Sequence, residues 1–272
     1  MIIEAGGIYI DLELKHIASF QNIELFQTKQ QPDYFLSTIE RLPSFSKKIQ
    51  IEKTLYFIKY ETELGILQEQ YIANRWVGSI LYSKEKAFLY LEYDSFEVEY
   101  LLSQYAFVAW IKEHNHRLFI HSSSVNYQNS GILFCAKSGV GKSTQRKLWE
   151  EFGQAVCIND DKNVLCITDG KITILPNPWS GKHFVSTNQS APLKAIIFLK
   201  QGKTNKVIEL SNEDAFPLLL SQIDLPKYEI KEEWGKLIDS LLELPLYLYE
   251  CNMEAEAFYT LEKQLRNRGV FE

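Results

Sequence analysis

One short segment, residues 131–144, constrains the fold more than any other part of the chain. It reads Gly-Ile-Leu-Phe-Cys-Ala-Lys-Ser-Gly-Val-Gly-Lys-Ser-Thr, an apolar run that leads into a loop with two glycines and then into residues that open a helix. Gly139 and Gly141 allow the backbone to turn its N–H groups toward a common point, and the first turn of the helix adds unpaired N–H groups and a positive dipole end. The segment therefore predicts a strand, a loop that cradles an anion and a helix, in that order.

The last residues of this loop have the chemistry that a nucleotide requires. Lys142 can supply a cation to the β- and γ-phosphates, and the hydroxyl of Ser143 is placed to ligate Mg²⁺. Ala136 stands where the usual pattern has its first glycine, a difference of one methyl group. A lone Gly-x-Gly is often an ordinary strand-to-helix connection, but Gly-x-Gly-Lys-Ser-Thr in this context is much more specific. The residues expected to bind the nucleotide are Ser138, Gly139, Val140, Gly141, Lys142, Ser143 and Thr144.

The charge of the chain restricts its partners. A formal net charge of −6 over 272 residues gives no general attraction to nucleic acid or to an anionic membrane, so local positive groups must meet any phosphate ligand. Glu4 and Asp11 interrupt the apolar start of the chain, and Glu97, Glu99 and Gln104 interrupt its longest apolar helical stretch. We therefore expect neither a signal segment nor a membrane span, and we expect a cytoplasmic protein.

The four cysteines are Cys135, Cys157, Cys166 and Cys251, and no two of them are spaced like a pair of zinc ligands. The first three lie in apolar, strand-like runs, where a free cysteine behaves as a small hydrophobic side chain. We expect reduced and buried thiols rather than a disulfide framework or a metal site.

The first part of the chain, residues 1–93, alternates as β-strands do and is rich in aromatic and β-branched side chains. The clearest predicted strands are residues 8–10, 54–58 and 87–91, and residues 83–86 are typical of a hairpin turn. We therefore expect a β-rich, antiparallel N-terminal subdomain over residues 1–93. No cluster of its side chains indicates catalysis, and a part in substrate recognition or dimerisation stays open.

A helix is expected to open the second domain, residues 94–272. Asp94 is the expected N-cap, with Glu97 three residues later as in a capping box. Aromatic side chains then recur at helical spacing, which is far more typical of a core-facing stripe than of cofactor binding. After residue 211 the pattern predicts further helices, with a strand at 246–249 and a closing helix at 254–268.

A pair of adjacent aspartates follows the helix that the loop opens. The apolar run 155–158 leads directly into Asn159, Asp160 and Asp161 at a strand end. One such carboxylate can hold Mg²⁺ while the other accepts a proton from an attacking hydroxyl, although Asn-Asp-Asp is also a common turn composition. The chain between Lys142 and Asp160 is long enough only for one helix and an immediate return strand. We therefore expect the carboxylates beside the loop, in an architecture unlike that of parallel-sheet nucleotide hydrolases.

Two further features stand near the predicted loop in the sequence. One strand leads into the loop, and His121 lies on the strand before it. A turn at residues 128–130 is expected to pair these two strands. Alone, such a histidine is more often structural than functional. Residues 178–182, Pro-Trp-Ser-Gly-Lys, have two readings. They can offer Ser180 and Lys182 to the transferred phosphate or its acceptor, or they can be a proline-led turn with a core tryptophan.

Residues 121–144, the aspartate pair and residues 178–182 together resemble the HPr kinase/phosphorylase and phosphoenolpyruvate carboxykinase superfamily. The resemblance covers roughly residues 100–272 and is nearest to the small kinases that phosphorylate serine in peptides, including precursors of modified peptides. It implies an α/β (α+β) fold, with a phosphoenolpyruvate-carboxykinase-like P-loop kinase core of mixed sheets and flanking helices after the β-rich N-terminal subdomain.

The resemblance also implies roles for individual residues. His121, Lys142 and Asp160 correspond to catalytic residues, with Asp160 as the base, while Ser143 and Asp161 correspond to the metal ligands. The roles of the two aspartates could be exchanged. The glycine- and arginine-rich signature that follows the aspartates in HPr kinase/phosphorylase is not evident, which argues against HPr as the substrate. The chain also lacks the length of a carboxykinase.

These observations predict an ATP- and Mg²⁺-dependent kinase, a transferase that phosphorylates a hydroxyl, most simply a serine of a peptide or protein. Two other functions stay open: a regulatory nucleotide-binding module or slow ATPase, and a kinase of a small molecule such as free serine. The residues do not choose among ATP, GTP and pyrophosphate as donor. A homo-oligomer stays open as well, because related kinases form oligomers.

Overall fold

The computed structural model describes residues 1–113, 116–181, 184–224 and 232–271. The chain forms two compact units, Met1–Trp110 and Ile111–Glu272. The division falls inside the first helix, α1 (Phe96–Glu113), and so lies later than the domain boundary expected at residue 93. Most of α1 belongs to the first unit because it packs on the sheet there: a Cβ added to Gly78 would lie 2.9 Å from Cδ1 of Leu102.

The first unit is built on one eight-stranded sheet. Its strands are β1 (Ile2–Ala5), β2 (Ile8–Glu13), β3 (Tyr34–Ile39), β4 (Lys48–Lys53), β5 (Phe57–Thr62), β6 (Gly65–Ile72), β7 (Arg75–Tyr82) and β8 (Lys86–Leu91), with 3₁₀ helices at Ile17–Ser19 and Ile23–Phe26. Their order is β1-β2-β3-β8-β7-β6-β5-β4. The expected antiparallel pairing holds from β4 to β8 but is wrong for β3, which runs parallel to β2 and β8. Parallel neighbours require a long connection, and the chain supplies one on each side of β3.

The start of α1 differs from the predicted one. Ser95, not Asp94, is the N-cap, since its hydroxyl accepts the backbone N–H of Val98 at 3.5 Å. Asp94 instead pairs with Lys15 and His16, each at 2.7 Å. The predicted capping box is therefore wrong, because the third helical position is Val98, whose side chain cannot bond back to the cap.

The second unit contains four helices and eight strands among its described residues. The helices are α2 (Lys142–Gly153), α3 (Asn212–Leu220), α4 (Glu232–Leu242) and α5 (Ala255–Asn267), and the strands are β9 (Arg117–Tyr127), β10 (Ser130–Cys135), β11 (Val156–Asn159), β12 (Lys162–Thr168), β13 (Lys171–Leu175), β14 (Ala191–Gln201), β15 (Lys206–Glu209) and β16 (Leu246–Cys251). The sheet order is β10-β9-β12-β13-β14-β16-β15, with β10 also beside β14 and β11 beside β9. Strands β10, β14 and β16 run parallel, and the other pairs are antiparallel. This mixed sheet with flanking helices confirms the predicted α/β class.

Strand β10 lies at the centre of two helix layers. Ile132 and Phe134 pack in a core with residues of α2 and α5, while Leu133 and Cys135 pack in a core with residues of α3 and α4. Because both faces of the strand are covered, its sequence is continuously apolar rather than alternating. This double burial fixes the strand from which the glycine loop projects.

The predicted hairpin and the free state of the cysteines are also confirmed in this unit. Strands β9 and β10 form the predicted hairpin, and its turn residues Gln128 and Asn129 both have positive φ, as in a type I′ turn. The four cysteines are free; Cys251 is partly exposed and the other three are buried. Within the described part of the chain, no helix is both long enough and apolar enough to cross a membrane.

Candidate active site

The glycine loop has the geometry expected of an anion cradle. It connects β10 to α2, and its two glycines have φ of 82° at Gly139 and 124° at Gly141. No heavy atom lies within 4 Å of a Cβ built on either glycine, so the positive φ, and not crowding, is what requires glycine here. The first helical bond runs from Gln145 N–H to the Gly141 carbonyl. The N–H groups of Lys142, Ser143 and Thr144 therefore lack intrahelical partners and are available to an anion, whereas the N–H of Val140 donates to the carbonyl oxygen of Lys137 at 3.3 Å.

Lys142 lies beneath this loop rather than out in solvent. Its Nζ donates to the carbonyl oxygen of Ala136 at 2.8 Å and contacts Nε2 of His121 at 3.0 Å. Burial lowers the pKa of its ammonium group below the ordinary value, and the nearby charge of Asp161 opposes that shift. The cation is thus held at the base of the cradle, close to where a bound phosphate would need it.

His121 connects Lys142 to one of the two aspartates. Its Nδ1 lies 3.2 Å from Oδ1 of Asp161. Burial lowers the pKa of His121 below its ordinary value, with Asp161 opposing the shift and Lys142 adding to it. A neutral ring with its proton on Nδ1 satisfies both neighbours, since Nδ1–H then donates to the carboxylate and Nε2 accepts from the ammonium group. We refer to Lys142, His121 and Asp161 as the loop triad.

Asp161 is the more accessible of the paired carboxylates. Its Oδ2 forms an ion pair with Nζ of Lys162 at 3.2 Å, and about a fifth of its side chain (22%) is exposed. The backbone of Gly181 packs tightly against it, because a Cβ there would lie 2.9 Å from the Cβ of Asp161. The described part of the predicted segment, residues 178–181, thus reaches Asp161.

Asp160 has a different environment. Its side chain is buried, and its Oδ1 accepts from Nε of Arg146 at 2.7 Å and from Oγ of Ser123 at 3.1 Å. Arg146 also pairs with Glu150 one turn further along α2. Asp160 is therefore fixed to α2 and β9 by a buried ion pair, whereas Asp161 belongs to the loop triad.

Asn159 positions both Asp161 and the neighbouring loop. Its Oδ1 accepts the backbone N–H groups of Asp161 at 3.0 Å and Lys162 at 2.7 Å. Its Nδ2 donates to the carbonyl oxygens of Asn177 at 3.2 Å and Trp179 at 2.9 Å. This fully buried amide thus uses all four of its hydrogen-bonding positions.

The substrate loop that the sequence predicted is only partly described. Trp179 and Ser180 are buried, so the Ser180 hydroxyl does not lie on the surface, and the core tryptophan of the alternative reading is present. Lys182 lies outside the described residues. The sequence reasoning missed Arg146, Asn159 and Lys162. A signal for Arg146 did exist, since it follows Lys142 by one helical turn and so lies on the same face of α2.

The described residues contain no group of three or more His, Cys, Asp or Glu side chains that could hold a metal ion. A Mg²⁺ ion bound with a nucleotide needs fewer protein ligands, because phosphates and water complete its octahedron. The Ser143 hydroxyl and the Asp161 carboxylate are hard oxygen donors of the required kind. The residues present therefore fit Mg²⁺ by their donor chemistry.

A cavity of about 400 Å³ opens beside the loop, at the ends of β10 and β14 and beside the middle of β16. It shares Ala136, Lys137 and Val140 with the loop, and its other lining residues are Cys135, Phe198, Leu199, Lys200, Gln201, Leu218, Ser221, Gln222 and Leu248. Gln201 also donates to the carbonyl oxygen of Gly139 at 3.2 Å. The pocket and the loop are therefore directly joined.

The chain matches no family model and no curated protein. Among solved structures it is similar to the HPr(Ser) kinase/phosphatase from Coxiella burnetii, with 10% sequence identity and a TM-score of 0.35 over 56% of this chain and 90% of that chain. This comparison does not support the closer relationship to peptide serine kinases that the sequence resemblance implied, which stays a prediction. At this level of similarity, the activity has to be argued from the side chains of the site.

Proposed function

We propose that this chain is an ATP- and Mg²⁺-dependent kinase that transfers the γ-phosphoryl group to a hydroxyl, most simply a serine of a peptide or protein. The observation that carries the proposal is the loop triad: a lysine, a histidine and an aspartate are hydrogen-bonded in series directly beneath an anion cradle. An anion-binding loop alone supports nucleotide binding. The triad adds groups that can act on an acceptor hydroxyl.

The proposed roles of the cations follow from their positions. Lys142 can turn from His121 and Ala136 toward a bound phosphate, and the loop N–H groups share the negative charge that develops during transfer. Ser143 and Asp161 would hold Mg²⁺, which neutralises phosphate charge when bound. Oδ2 of Asp161 can serve this purpose because its partner in the structure is a side chain, Lys162, that can move away.

The geometry favours a change in the expected proton acceptor. A general base must approach the hydroxyl that it deprotonates, but Asp160 is buried and already accepts hydrogen bonds from Arg146 and Ser123. His121 is partly exposed (35%), burial lowers its pKa and so favours the neutral ring, and Asp161 orients that ring. We therefore assign proton acceptance to His121 after Lys142 has moved to the phosphate. Asp160 is then a positioning residue that ties β11 to α2.

The cavity beside the loop would take the nucleoside end of ATP. Its volume of about 400 Å³ lies within the usual range for small-ligand sites, and apolar walls with a few amide groups suit a planar base. Its direct connection to the loop supports the same placement, because a nucleotide in the cradle must extend its base into an adjoining space.

The experiment that tests the function is transfer of ³²P from γ-labelled ATP, with Mg²⁺, to proteins and peptides of a cell lysate. We expect an acid-stable labelled product with the intact protein and none with Lys142→Ala. Lys147→Ala is the matched control, because Lys147 is an exposed lysine on the same helix, and it should label normally. Tight ATP binding with no labelled protein, peptide or small molecule would reject a kinase and leave a regulatory nucleotide-binding module.

A further inference from the structure

A second cavity lies entirely within the N-terminal unit. Its volume is about 440 Å³, which is large enough for a bulky side chain and the backbone around it. Its lining residues are Ile39, Arg41, Pro43, Leu64, Leu81, Ser83, Lys86 and Phe88. We call it the Phe88 pocket. None of its lining residues takes part in the site described above.

The Phe88 pocket opens on the sheet face opposite to α1. Leu81 and Phe88 are paired across β7 and β8 and so share one face. Side chains alternate along a strand, so Gly78, three residues before Leu81, lies on the other face, where it contacts α1 through Leu102. The pocket is therefore not part of the core that the helix and the sheet form together.

The rim of the Phe88 pocket is positively charged although the chain as a whole is negative. Arg41 and Lys86 are both exposed, and neither forms an ion pair within the described part of the chain. No carboxylate is among the described lining residues. Glu69 is paired with Lys48 at 2.7 Å, so its charge is locally compensated. The exposed Glu40, Glu63 and Glu85 adjoin lining residues in the sequence but do not line the pocket. An apolar floor below two cations that form no ion pair among the described residues is complementary to an apolar group with an acidic neighbour.

The same sheet face continues beyond the pocket as a row of aromatic side chains. The Phe35 and Phe88 rings meet edge to face, with centroids 6.4 Å apart, and the Trp76 and Tyr90 rings stack at 5.7 Å. Tyr90 is two residues from Phe88 and therefore points to the same side of β8. A partner that used this row would be longer than the pocket, as a polypeptide segment is and a small acid is not.

We propose that the Phe88 pocket binds a bulky apolar side chain of an acidic peptide segment, with Arg41 and Lys86 contacting the adjacent carboxylates. The remainder of the segment lies along the aromatic row. The identification of this peptide as the phosphoryl acceptor rests on the proposed function, whereas its binding does not. The pocket would then select acceptors by sequence at a place that takes no part in the chemistry.

The test is fluorescence anisotropy with fluorescein-labelled synthetic peptides of equal length. The first peptide contains Phe beside two Glu and a nearby Ser, the second replaces both Glu by Lys, and the third replaces Phe by Ala. We expect the first to bind at least about tenfold more tightly than the others, as is usual for an anchor residue. Equal affinity for all three peptides would overturn the proposal.

Variants of the protein locate the binding site. Arg41→Glu combined with Lys86→Glu should weaken the first peptide by at least about tenfold, and so should Leu64→Asp, since Leu64 lines the pocket yet is 48% exposed. Lys84→Glu is the matched control, an exposed cation on the same hairpin that does not line the pocket. Similar losses in the control and the double variant would overturn the proposal. So would saturable binding of 3-phenylpropanoate without binding of the peptide, which would indicate a small-acid site.

One further variant separates this proposal from the kinase proposal. Lys142→Ala should bind the first peptide with unchanged affinity, because Lys142 belongs to the other unit and to the nucleotide loop. Binding of the first peptide, together with no labelled protein, peptide or small molecule in the lysate assay of the intact protein, would reject the kinase and retain the pocket. Transfer to the first peptide that is insensitive to both pocket variants would reject the pocket and retain the kinase.

Discussion

Asp160 and Asp161 are adjacent in sequence but belong to two regions of opposite character. The region around Asp160 is closed, since a buried carboxylate there is held by a buried arginine and a serine hydroxyl. The region around Asp161 is partly open, and its neighbours are a histidine and two lysines that can exchange partners. The comparison teaches that the strand end places like residues in unlike surroundings: one aspartate is held by the scaffold, and the other, under the proposed function, faces the reaction.

The largest expected effect is a loss of phosphoryl transfer when Lys142, in the open region around Asp161, is replaced. Lys142→Met removes the cation beneath the loop and should reduce phosphoryl transfer by about a thousandfold or more, a loss typical of a group that stabilises transition-state charge. It should hardly change the closed region, so the thermal unfolding midpoint should stay near that of the parent. A rate assay and a melting curve on the same sample check both expectations. If the unfolding midpoint falls together with the rate of transfer, the open and closed regions are not independent of each other.

In the closed region, removing the charge of Asp160 should lower the free energy of unfolding. Asp160→Asn leaves Arg146 buried beside a neutral amide, and breaking a buried ion pair in this way usually costs about 3–5 kcal/mol. Urea unfolding measures the loss. Adding Arg146→Met to Asp160→Asn removes the buried cation, which in the single variant keeps only its ion pair with Glu150, and should restore part of the stability. If the double variant is less stable than Asp160→Asn, Arg146 is not the source of the cost.

Asn159 joins the two regions, and its replacement should have an intermediate effect. Asn159→Ala removes four hydrogen bonds that orient Asp161 and the loop of residues 177–179. We expect kcat to fall by about 10–100-fold, as for other residues that orient a metal ligand. A fluorescent ATP analogue should bind with little change in affinity. An unchanged kcat in the folded variant would show that Asn159 serves the fold alone.

The smallest expected effect is a change of kcat with pH. Because burial lowers the pKa of His121 below 6.5, the ring should stay neutral at pH 7 and become protonated only at more acidic pH. If the neutral ring accepts the proton, kcat should be level above this pKa and fall about tenfold per pH unit below it. His121→Gln should lower the plateau and remove the inflection. A midpoint above 6.5 would contradict the assignment.

Much of the fold around the loop could be predicted because its signals are local. The run before Gly139 is apolar on both faces, the glycines have positive φ, and α2 begins at Lys142 directly after them. The parallel pairing of β3 could not be read from its alternation, since a period of two residues gives the faces of a strand and not the direction of its neighbour. The N-cap was missed because Asp94 and Ser95 are both good caps, and tertiary ion pairs use Asp94 elsewhere.

For the candidate site, the roles that the sequence assigned to individual residues stay predictions. Lys142, His121 and Asp161 lie together because the return strand after α2 is short. The division of labour between Asp160 and Asp161 could not be predicted, because it depends on Arg146 and Ser123. These residues come from α2 and β9 and meet only in the folded chain.

The most direct test of this division is single-turnover transfer of ³²P from γ-labelled ATP, measured for Asp160→Asn and Asp161→Asn and corrected for the folded fraction of each. Asp161→Asn should lose transfer by about a thousandfold, while Asp160→Asn should keep it within about tenfold of the parent rate per folded molecule. Loss of transfer in a fully folded Asp160→Asn, with transfer retained in Asp161→Asn, would contradict the account and identify Asp160 as the catalytic carboxylate.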